Sequence, residues 1–101
     1  MAKTPEAKVK AVVVGYLKWL GVYYFYPVTG GYGRSGIPDI ICCYRGWFVA
    51  IECKAGNNKC TTLQQNNIDE IREQGGLAWV INEGNMHSVP DLLNVHCPEV
   101  H

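Results

Sequence analysis

The chain has 101 residues and a mass of 11.3 kDa, with 48% apolar residues, 18% charged residues and a formal net charge of +0. This length suits a single small domain, so we expect one domain over residues 1–101. The apolar runs are shorter than the roughly 20 residues that a membrane-spanning helix requires, and the N-terminus lacks the features of a secretory signal. We therefore expect no membrane partner and a cytoplasmic location.

The five cysteines form an odd set without a C-x-x-C pair, at positions 42, 43, 53, 60 and 97. Their spacing is neither that of a disulfide framework nor that of a structural zinc site. Cys42 and Cys43 lie in the apolar run Ile40 to Tyr44, where cysteine acts as a small hydrophobic residue. We expect free and mostly buried thiols, as in a reducing compartment.

The zero net charge conceals an asymmetry along the chain. Residues 1–60 hold eight lysine and arginine residues and three acidic residues, whereas residues 61–101 hold one arginine and six acidic residues. A basic segment with few carboxylates indicates a face that attracts the phosphates of a nucleic acid. A chance distribution of solvated charges explains the same numbers, and charge alone does not separate the two interpretations.

The first predicted element is an amphipathic helix. Thr4 suits its N-cap, Pro5 suits its first helical position, and Gly21 suits its end. The apolar residues between them recur at spacings of three and four, the period of a helix that is buried on one side. They are Val9, Val12, Val13, Tyr16, Leu17 and Leu20. Glu6 lies at the border of this apolar stripe, so its carboxylate can reach the edge of the core.

Three strands are predicted to follow the helix. The aromatic and β-branched run Val22 to Tyr26 is the first. Four glycines in residues 29–36 then predict a mobile loop. The runs Ile37 to Tyr44 and Trp47 to Lys54 are the second and third strands, and the two residues Arg45-Gly46 between them are typical of an antiparallel hairpin.

The last part of the chain predicts a helix, a strand and a short helix. Thr61 or Thr62 can cap a helix that runs to about Gln74 and ends at a pair of glycines. Leu77 to Ile81 is a nearly continuous apolar run, typical of a strand that is covered on both faces. One short helix is expected near residues 91–93. The order of elements predicts an α/β domain with a mixed central β-sheet flanked by helices.

The strongest functional signal joins two of the predicted strands. Asp39 follows Gly36-Ile37-Pro38 on one strand, and Glu52-Cys53-Lys54 ends the next, 13 residues later. Residues i and i+2 of a strand share a face, so Glu52 and Lys54 point the same way and the hairpin brings Asp39 beside them. Two converging carboxylates suit Mg²⁺, with Mn²⁺ as a substitute. Lys54 can then orient a water molecule or hold a phosphate oxygen.

This pattern resembles the PD-(D/E)xK nuclease superfamily, whose two defining positions are matched by Pro38-Asp39 and Glu52-Cys53-Lys54. More narrowly, the chain is similar to the VRR-NUC family of virus-type replication and repair nucleases. Members of that family combine a glutamate in an N-terminal helix with G-x-P-D, E-x-K and a helix that begins T-x-x-Q. The corresponding residues here are Glu6, Gly36 to Asp39, Glu52 to Lys54, and Thr61 to Gln64. The resemblance covers roughly residues 4–85 and implies a restriction-endonuclease-like core with the order α-β-β-β-α-β.

The resemblance also implies a role for each matched residue. The implied metal ligands are Asp39, Glu52, the backbone carbonyl of Cys53 and, directly or through water, Glu6. Lys54 would position the nucleophilic water, and Gln64 would support the site from the second helix. A plainer interpretation stays open for two of them, because the helix dipole favours a glutamate in the first turn and a helical glutamine is often solvated.

We expect a single Mg²⁺-dependent nuclease domain that hydrolyses phosphodiester bonds in nucleic acid, and DNA in particular. A structure-specific endonuclease that acts on branched or four-way-junction DNA in replication, repair or recombination is the specific hypothesis. A chain this small offers little surface for a duplex, so a homodimer or higher homo-oligomer is expected. A nucleic-acid-binding module without turnover, and a metal-free interaction protein that uses the acidic half, remain as alternatives.

Two basic residues are candidate phosphate contacts, namely Arg34 in the glycine-rich loop and Lys59 after the third strand. Either of them can instead be an ordinary surface charge. The aromatic residues Trp47, Phe48 and Trp79 are expected in the core rather than stacked on bases.

Overall fold

The computed structural model describes residues 4–28, 31 and 33–99. Its elements in chain order are α1 (Pro5–Leu20), β1 (Tyr23–Phe25), β2 (Ile40–Tyr44), β3 (Trp47–Cys53), α2 (Thr62–Glu73), β4 (Leu77–Ile81), a 3₁₀ turn (Met86–Ser88) and α3 (Val89–His96). The predicted order of helix, three strands, helix and strand is confirmed. The predicted mobile loop falls partly on residues 29, 30 and 32, which lie outside the described residues.

The four strands form one mixed sheet in the order β1-β2-β3-β4. Strands β1, β2 and β3 are antiparallel neighbours, whereas β4 runs parallel to β3. Parallel neighbours need a crossover connection, and α2 provides it between the end of β3 and the start of β4. The predicted α/β class with a mixed sheet and flanking helices is confirmed.

Helix caps and a tight turn set the boundaries of several elements. The hydroxyl of Thr4 accepts a hydrogen bond from the backbone N–H of Ala7 at 3.1 Å, and α1 ends at Gly21 with φ of 72°. In the β2–β3 hairpin, Arg45 and Gly46 have φ of 54° and 83°. Two positive φ values in a two-residue connection are the geometry that matches the twist of paired strands.

Several strand and helix boundaries differ from the prediction. Strand β2 begins at Ile40 rather than Ile37, because Pro38 has no N–H to donate to a strand ladder. Strand β1 is limited to Tyr23–Phe25, the three residues that pair with β2. Helix α3 is longer than predicted, because Pro90 suits its first turn and the buried Val89 and Leu93 anchor it in the core.

The sheet separates two layers of unequal size. The larger core lies between the sheet and the helices α1 and α3. Its fully buried members include Val13, Leu17, Ile40, Val49, Ile51, Cys53, Ile81 and Leu93. On the other face, α2 covers a smaller core of Ala50, Ile68 and Ala78. Side chains two residues apart on a strand point to the same face. Glu52 therefore lies on the α2 face of the sheet, as Ala50 does.

Two residues expected in the interior are exposed. Cys43 and Phe48 are cross-strand partners in the β2–β3 hairpin, and the Phe48 residue is 46% exposed. Helix α2 packs against β4, so its cover does not extend over this end of β2 and β3. The other cysteines are buried or partly buried, and all five are free, as predicted. No helix in residues 4–28 and 33–99 is long and apolar enough to cross a membrane.

Candidate active site

The carboxylates of Asp39 and Glu52 lie on adjacent strands at the same level of the sheet. Ile40 pairs with Ile51 in the antiparallel ladder, so Asp39 lies opposite Glu52 one position further on. The backbone N–H of Cys53 donates a hydrogen bond to Oδ2 of Asp39 at 2.8 Å. This bond fixes the side chain of Asp39 against the end of β3.

Glu52 is a buried carboxylate with one satisfied oxygen and one unsatisfied oxygen. The residue is 3% exposed, and its Oε2 accepts a hydrogen bond from Nε2 of Gln64 at 3.2 Å. Its Oε1 is buried and has no hydrogen-bond partner among the described residues. Buried polar atoms nearly always have a partner, so an unpaired carboxylate oxygen indicates a place where a further group binds.

The pKa of Glu52 reflects the same environment. Burial raises the pKa of Glu52 from its ordinary value of 4.5 to about 8, with the negative charge of Asp39 as the second cause. The ammonium of Lys54 acts in the opposite direction, and the charge of Glu6 adds to the increase. The ionised form of Glu52 is therefore unfavourable unless a cation compensates it.

Lys54 directs its ammonium towards the carboxylate pair. It follows β3 directly, and its backbone N–H donates to the carbonyl of Ile81 at 2.9 Å, which continues the ladder with β4 by one residue. Its Nζ lies 3.7 Å from Oε2 of Glu52, and the residue is 9% exposed. At this distance the two groups form an ion pair but not a hydrogen bond. Nζ donates no hydrogen bond within the described part of the chain, so its donors remain available to a phosphate or a water.

Gln64 is oriented by the cap of α2. The hydroxyl of Thr61 accepts from the backbone N–H of Gln64 at 3.2 Å, and Oε1 of Gln64 accepts from the backbone N–H of Thr61 at 2.9 Å. This reciprocal pair is a capping box, and it identifies Thr61 rather than Thr62 as the N-cap. Because Oε1 is an acceptor in the cap, Nε2 is the end of the amide that faces Glu52.

Gly36 allows the loop before Asp39 to pack against the first turn of α2. It has φ of +74°, and a Cβ at this position would lie 2.6 Å from the backbone carbon of Leu63 and 2.8 Å from the backbone nitrogen of Gln64. No side chain fits there unless the backbone shifts. The conformation and the close contact together explain why glycine precedes the Pro-Asp pair. The loop is held further by a hydrogen bond of 3.0 Å from Nδ2 of Asn67 to the carbonyl of Ser35.

Glu6 and Cys53 are the two other predicted metal ligands, and the structure does not bring either side chain into a cluster with Asp39 and Glu52. Glu6 is exposed in the first turn of α1, close enough for its charge to raise the pKa of Glu52. The side chain of Cys53 is buried in the opposite layer, so its backbone carbonyl is the part available to the site. Within residues 4–28, 31 and 33–99, no group of three or more His, Cys, Asp or Glu side chains is arranged to hold a metal ion. Coordination through Glu6 and the carbonyl of Cys53 stays a prediction.

The two predicted phosphate contacts lie in different settings. Arg34 forms an exposed ion pair with Glu70 of α2, which partly neutralises its guanidinium. Lys59 is exposed and lines an open cleft of about 590 Å³ together with Cys60 and Thr61. The pKa of the Cys60 thiol is raised by burial and, next, by the charge of Glu52. Lys59 forms no ion pair within the described residues, so its charge suits a phosphate contact better than that of Arg34.

The residues present fit a cation that prefers oxygen ligands. Two carboxylates lie side by side, and one buried oxygen lacks a partner. The raised pKa of Glu52 indicates that a positive charge is needed to keep its anion in place. Mg²⁺ binds through one or two carboxylates and retains several waters, so the pair provides what this ion requires.

Sequence reasoning missed the ion pair between Arg34 and Glu70 and the exposure of Phe48. No local pattern indicates either feature, because both depend on where α2 lies against the sheet. The sequence did indicate a helix cap at Thr61 or Thr62, although not that one amide joins the cap to Glu52.

Comparison with known proteins supports the fold. No protein-family model and no curated protein matches the chain significantly. Among solved structures, one described as "VRR_NUC domain" has a TM-score of 0.73 and 23% sequence identity, over 90% of this chain and 96% of that chain. Another, described as "VRR_NUC domain protein", has a TM-score of 0.66 and 21% identity, over 94% of this chain and 87% of that chain. The chain therefore has the fold of a VRR_NUC domain, which confirms at the level of the fold the resemblance seen in the sequence.

Proposed function

We propose that this chain is a VRR-NUC nuclease, a divalent-metal-dependent enzyme that hydrolyses phosphodiester bonds in nucleic acid. The observation that carries the proposal is the buried carboxylate of Glu52, which lies beside Asp39 and Lys54 with one oxygen unpaired. A cation and a phosphate are the partners that such a site can bind. The fold shared with two VRR_NUC domain structures supports the same conclusion.

The proposed metal ligands are the carboxylates of Asp39 and Glu52 and the backbone carbonyl of Cys53. Glu6 would contribute through a water, since it is exposed at the edge of the site. Mg²⁺, or Mn²⁺ in its place, would supply Lewis-acid activation of the scissile phosphate and a lower pKa for a water molecule. Gln64 would keep the Glu52 carboxylate oriented, because the capping box holds its amide in place.

Lys54 is proposed to act on the reacting groups. Its ammonium is mostly buried and donates no hydrogen bond to the rest of the described chain, so it is free to hold the attacking water or a phosphate oxygen. Charge develops on the phosphate oxygens during attack by water, and a fixed cation in a poorly solvated place stabilises that charge strongly. The same ammonium limits the repulsion between Asp39 and Glu52 before substrate binds.

The proposed substrate is DNA, with branched or four-way-junction DNA in replication, repair or recombination as the specific hypothesis. Phosphate contacts supply most of the affinity in such complexes. Lys59, exposed in the cleft beside the start of α2, is the proposed phosphate contact outside the carboxylate pair. Because one small domain covers little duplex, we propose that a homodimer or higher homo-oligomer is the active form.

Metal-dependent nicking of a supercoiled plasmid tests the proposal. Wild-type protein is expected to nick the plasmid with Mg²⁺ or Mn²⁺ and to stop in EDTA, whereas Glu52→Gln, which keeps the shape of the side chain, should lose activity by a factor on the order of 10² or more. Retarded migration without cleavage would instead support a binding module, and neither result would support an interaction protein. Labelled single-stranded, duplex, flap and four-way-junction substrates then identify the preferred DNA structure.

A further inference from the structure

A second cavity lies on the sheet face that carries Asp39 and Glu52. Its volume is about 290 Å³, and it is bounded by the start of β3, one side of α2 and the side chain of Arg34. The residues that line it include Arg34, Phe48, Asn67, Glu70, Ile71 and Gln74. The volume is close to the lower end of the range for small-molecule sites. This lining does not include Asp39, Glu52 or Lys54.

The position of the cavity relative to Glu52 follows from two elements. Phe48 and Glu52 share one face of β3 and are four residues apart, which places their Cα atoms roughly 13 Å apart along the strand. Gln64, bonded to Glu52, and Gln74, at the cavity, are ten residues apart at the two ends of α2, a span of about 15 Å along the helix. Stacked bases rise by about 3.4 Å per nucleotide. A span of this length therefore corresponds to about four nucleotides between the cavity and the carboxylates of Asp39 and Glu52.

The cavity combines an aromatic surface with hydrogen-bonding amides. Phe48 is 46% exposed here, and Ile71 adds apolar surface. The side-chain amide of Gln74 has no hydrogen bond within the described residues, so it can both donate and accept. Nδ2 of Asn67 already donates to the carbonyls of Ser35 and Leu63, which leaves its Oδ1 as an acceptor. A flat ligand with polar edges and an apolar face suits these groups.

The charges in the cavity favour a neutral group over a phosphate. Arg34 and Glu70 form an ion pair in its lining, so an entering phosphate would approach the carboxylate as well as the guanidinium. Like charges at short range disfavour such binding. A nucleobase is neutral, flat and polar at its edges, and it therefore fits where a phosphate does not.

We infer that this cavity binds one unpaired nucleobase of the substrate strand, stacked on Phe48. The inference rests on the proposed function, because it takes the phosphate to be cleaved as lying at Asp39 and Glu52. A base in a duplex does not offer its face to a side chain, so the substrate must carry a single-stranded segment near the cleavage point. The substrate class is then nucleic acid with unpaired nucleotides within about four positions of the scissile phosphate.

The test measures binding without cleavage. Fluorescence anisotropy in EDTA compares a labelled single-stranded 12-mer with an abasic 12-mer that keeps every phosphate. Base–aromatic stacking predicts that Phe48→Ala weakens binding of the intact strand on the order of ten-fold to a hundred-fold and leaves binding of the abasic strand unchanged. Trp19→Ala is the matched control, since Trp19 is a 76% exposed aromatic residue of α1 in the opposite layer. It should bind both strands as the wild type does.

Two further variants separate stacking from folding. Phe48→Leu keeps apolar volume without a ring and should lose most of the affinity for the intact strand at an unchanged melting temperature, whereas Phe48→Tyr should retain it. Equal losses on the intact and abasic strands would overturn the inference, as would no loss on either. Sedimentation provides a further check. If the wild type is a dimer, Phe48→Ala is a monomer, and both strands lose affinity equally, the inference is overturned and this face is an interface between copies.

The two proposals fail in different ways. If wild-type protein cleaves no substrate but Phe48→Ala still weakens only the strand with bases, the base site stands and the nuclease function is wrong. If cleavage occurs and Phe48→Ala does not distinguish the two strands, the nuclease function stands and the base site is wrong.

Discussion

The amide of Gln64 joins the start of α2 to the carboxylate of Glu52. Its Oε1 accepts from the N–H of Thr61 at 2.9 Å, while its Nε2 donates to Oε2 of Glu52 at 3.2 Å. One side chain therefore both caps the helix and holds the buried carboxylate. The direction of the amide is set by the cap, so the donor end faces the carboxyl group of Glu52.

Gln64→Glu separates these two roles. A glutamate keeps the capping box, because its carboxylate also accepts from the N–H of Thr61, but it replaces the donor at Glu52 with a second negative charge. We expect stability near that of the wild type at pH 5 and a clear loss at pH 8 in metal-free protein, measured by thermal unfolding. Asn66→Glu adds the same charge at an exposed position of α2 and serves as the control. Equal pH dependence in both variants would contradict this role for Gln64.

The raised pKa of Glu52 predicts a pH dependence for the metal-free protein. The pKa is about 8 in the folded chain and near the ordinary value of 4.5 when unfolded, so the folded state holds its proton over this interval while the unfolded state releases it. The resulting contribution to stability is fully present below pH 4.5 and is lost as the pH rises through 8, by at most about 5 kcal/mol. Urea unfolding in EDTA at several pH values measures it.

Glu52→Gln is the variant that isolates this contribution. It should remove most of the decrease in stability between pH 5 and pH 8.5, and it should be more stable than the wild type at the higher pH. Parallel stability curves for the two proteins would show that Glu52 does not titrate in this range. Mg²⁺ competes with the same proton, so its affinity for the wild type is expected to increase with pH up to about 8.

Gly36→Ala tests the close contact between the loop and α2. The substituted Cβ would overlap the backbone of Leu63, and the positive φ adds strain, so we expect a loss of roughly 2 kcal/mol or more in the free energy of unfolding. Gly75→Ala is a matched control, since Gly75 has φ of +89° with open space around it and carries the conformational strain alone. Denaturant unfolding of both variants gives the difference. If Gly36→Ala costs no more than the control, the contact is not tight.

Much of the site was predictable because it depends on local geometry. Strand alternation places Glu52 and Lys54 on one face, and a two-residue hairpin fixes the register that brings Asp39 opposite Glu52. The exposure of Phe48 and the pairing of Arg34 with Glu70 were not predictable, since they depend on how far α2 extends over the sheet. That position is set by packing among residues distant in sequence, such as Ile68 against Ala50 and Ala78.

Charge reversal at Lys59 should reduce the salt dependence of DNA binding. Each phosphate contact contributes a slope of about −0.9 to the plot of log affinity against log salt, so Lys59→Glu is expected to flatten the plot by about that amount or more. Lys18→Glu is the control, because Lys18 is an exposed lysine of α1 in the opposite layer. Titration of a labelled duplex at four salt concentrations gives both slopes. Identical changes in the two variants would show that Lys59 attracts DNA only through net charge.

Lys54 is expected to act on the reaction rather than on metal binding. Its Nζ lies 3.7 Å from Oε2 of Glu52, and an ammonium cannot be a metal ligand, so Lys54→Ala should slow cleavage by a factor on the order of 10² or more at saturating metal. The ammonium also lowers the pKa of Glu52, so removing Lys54 should strengthen proton competition and weaken Mg²⁺ binding at pH 7. At pH 9 the proton no longer competes, and Mg²⁺ affinity should lie within a few-fold of wild type.

Lys54→Arg provides the comparison for the alanine variant. It restores the positive charge and should therefore restore Mg²⁺ binding at pH 7, but its longer planar group should recover little of the cleavage rate. Single-turnover cleavage and calorimetric Mg²⁺ titration at pH 7 and pH 9 measure the two quantities separately. If the alanine variant loses metal binding at both pH values and cleaves at the wild-type rate when saturated, then Lys54 supports the carboxylate pair alone and does not contact the reacting groups.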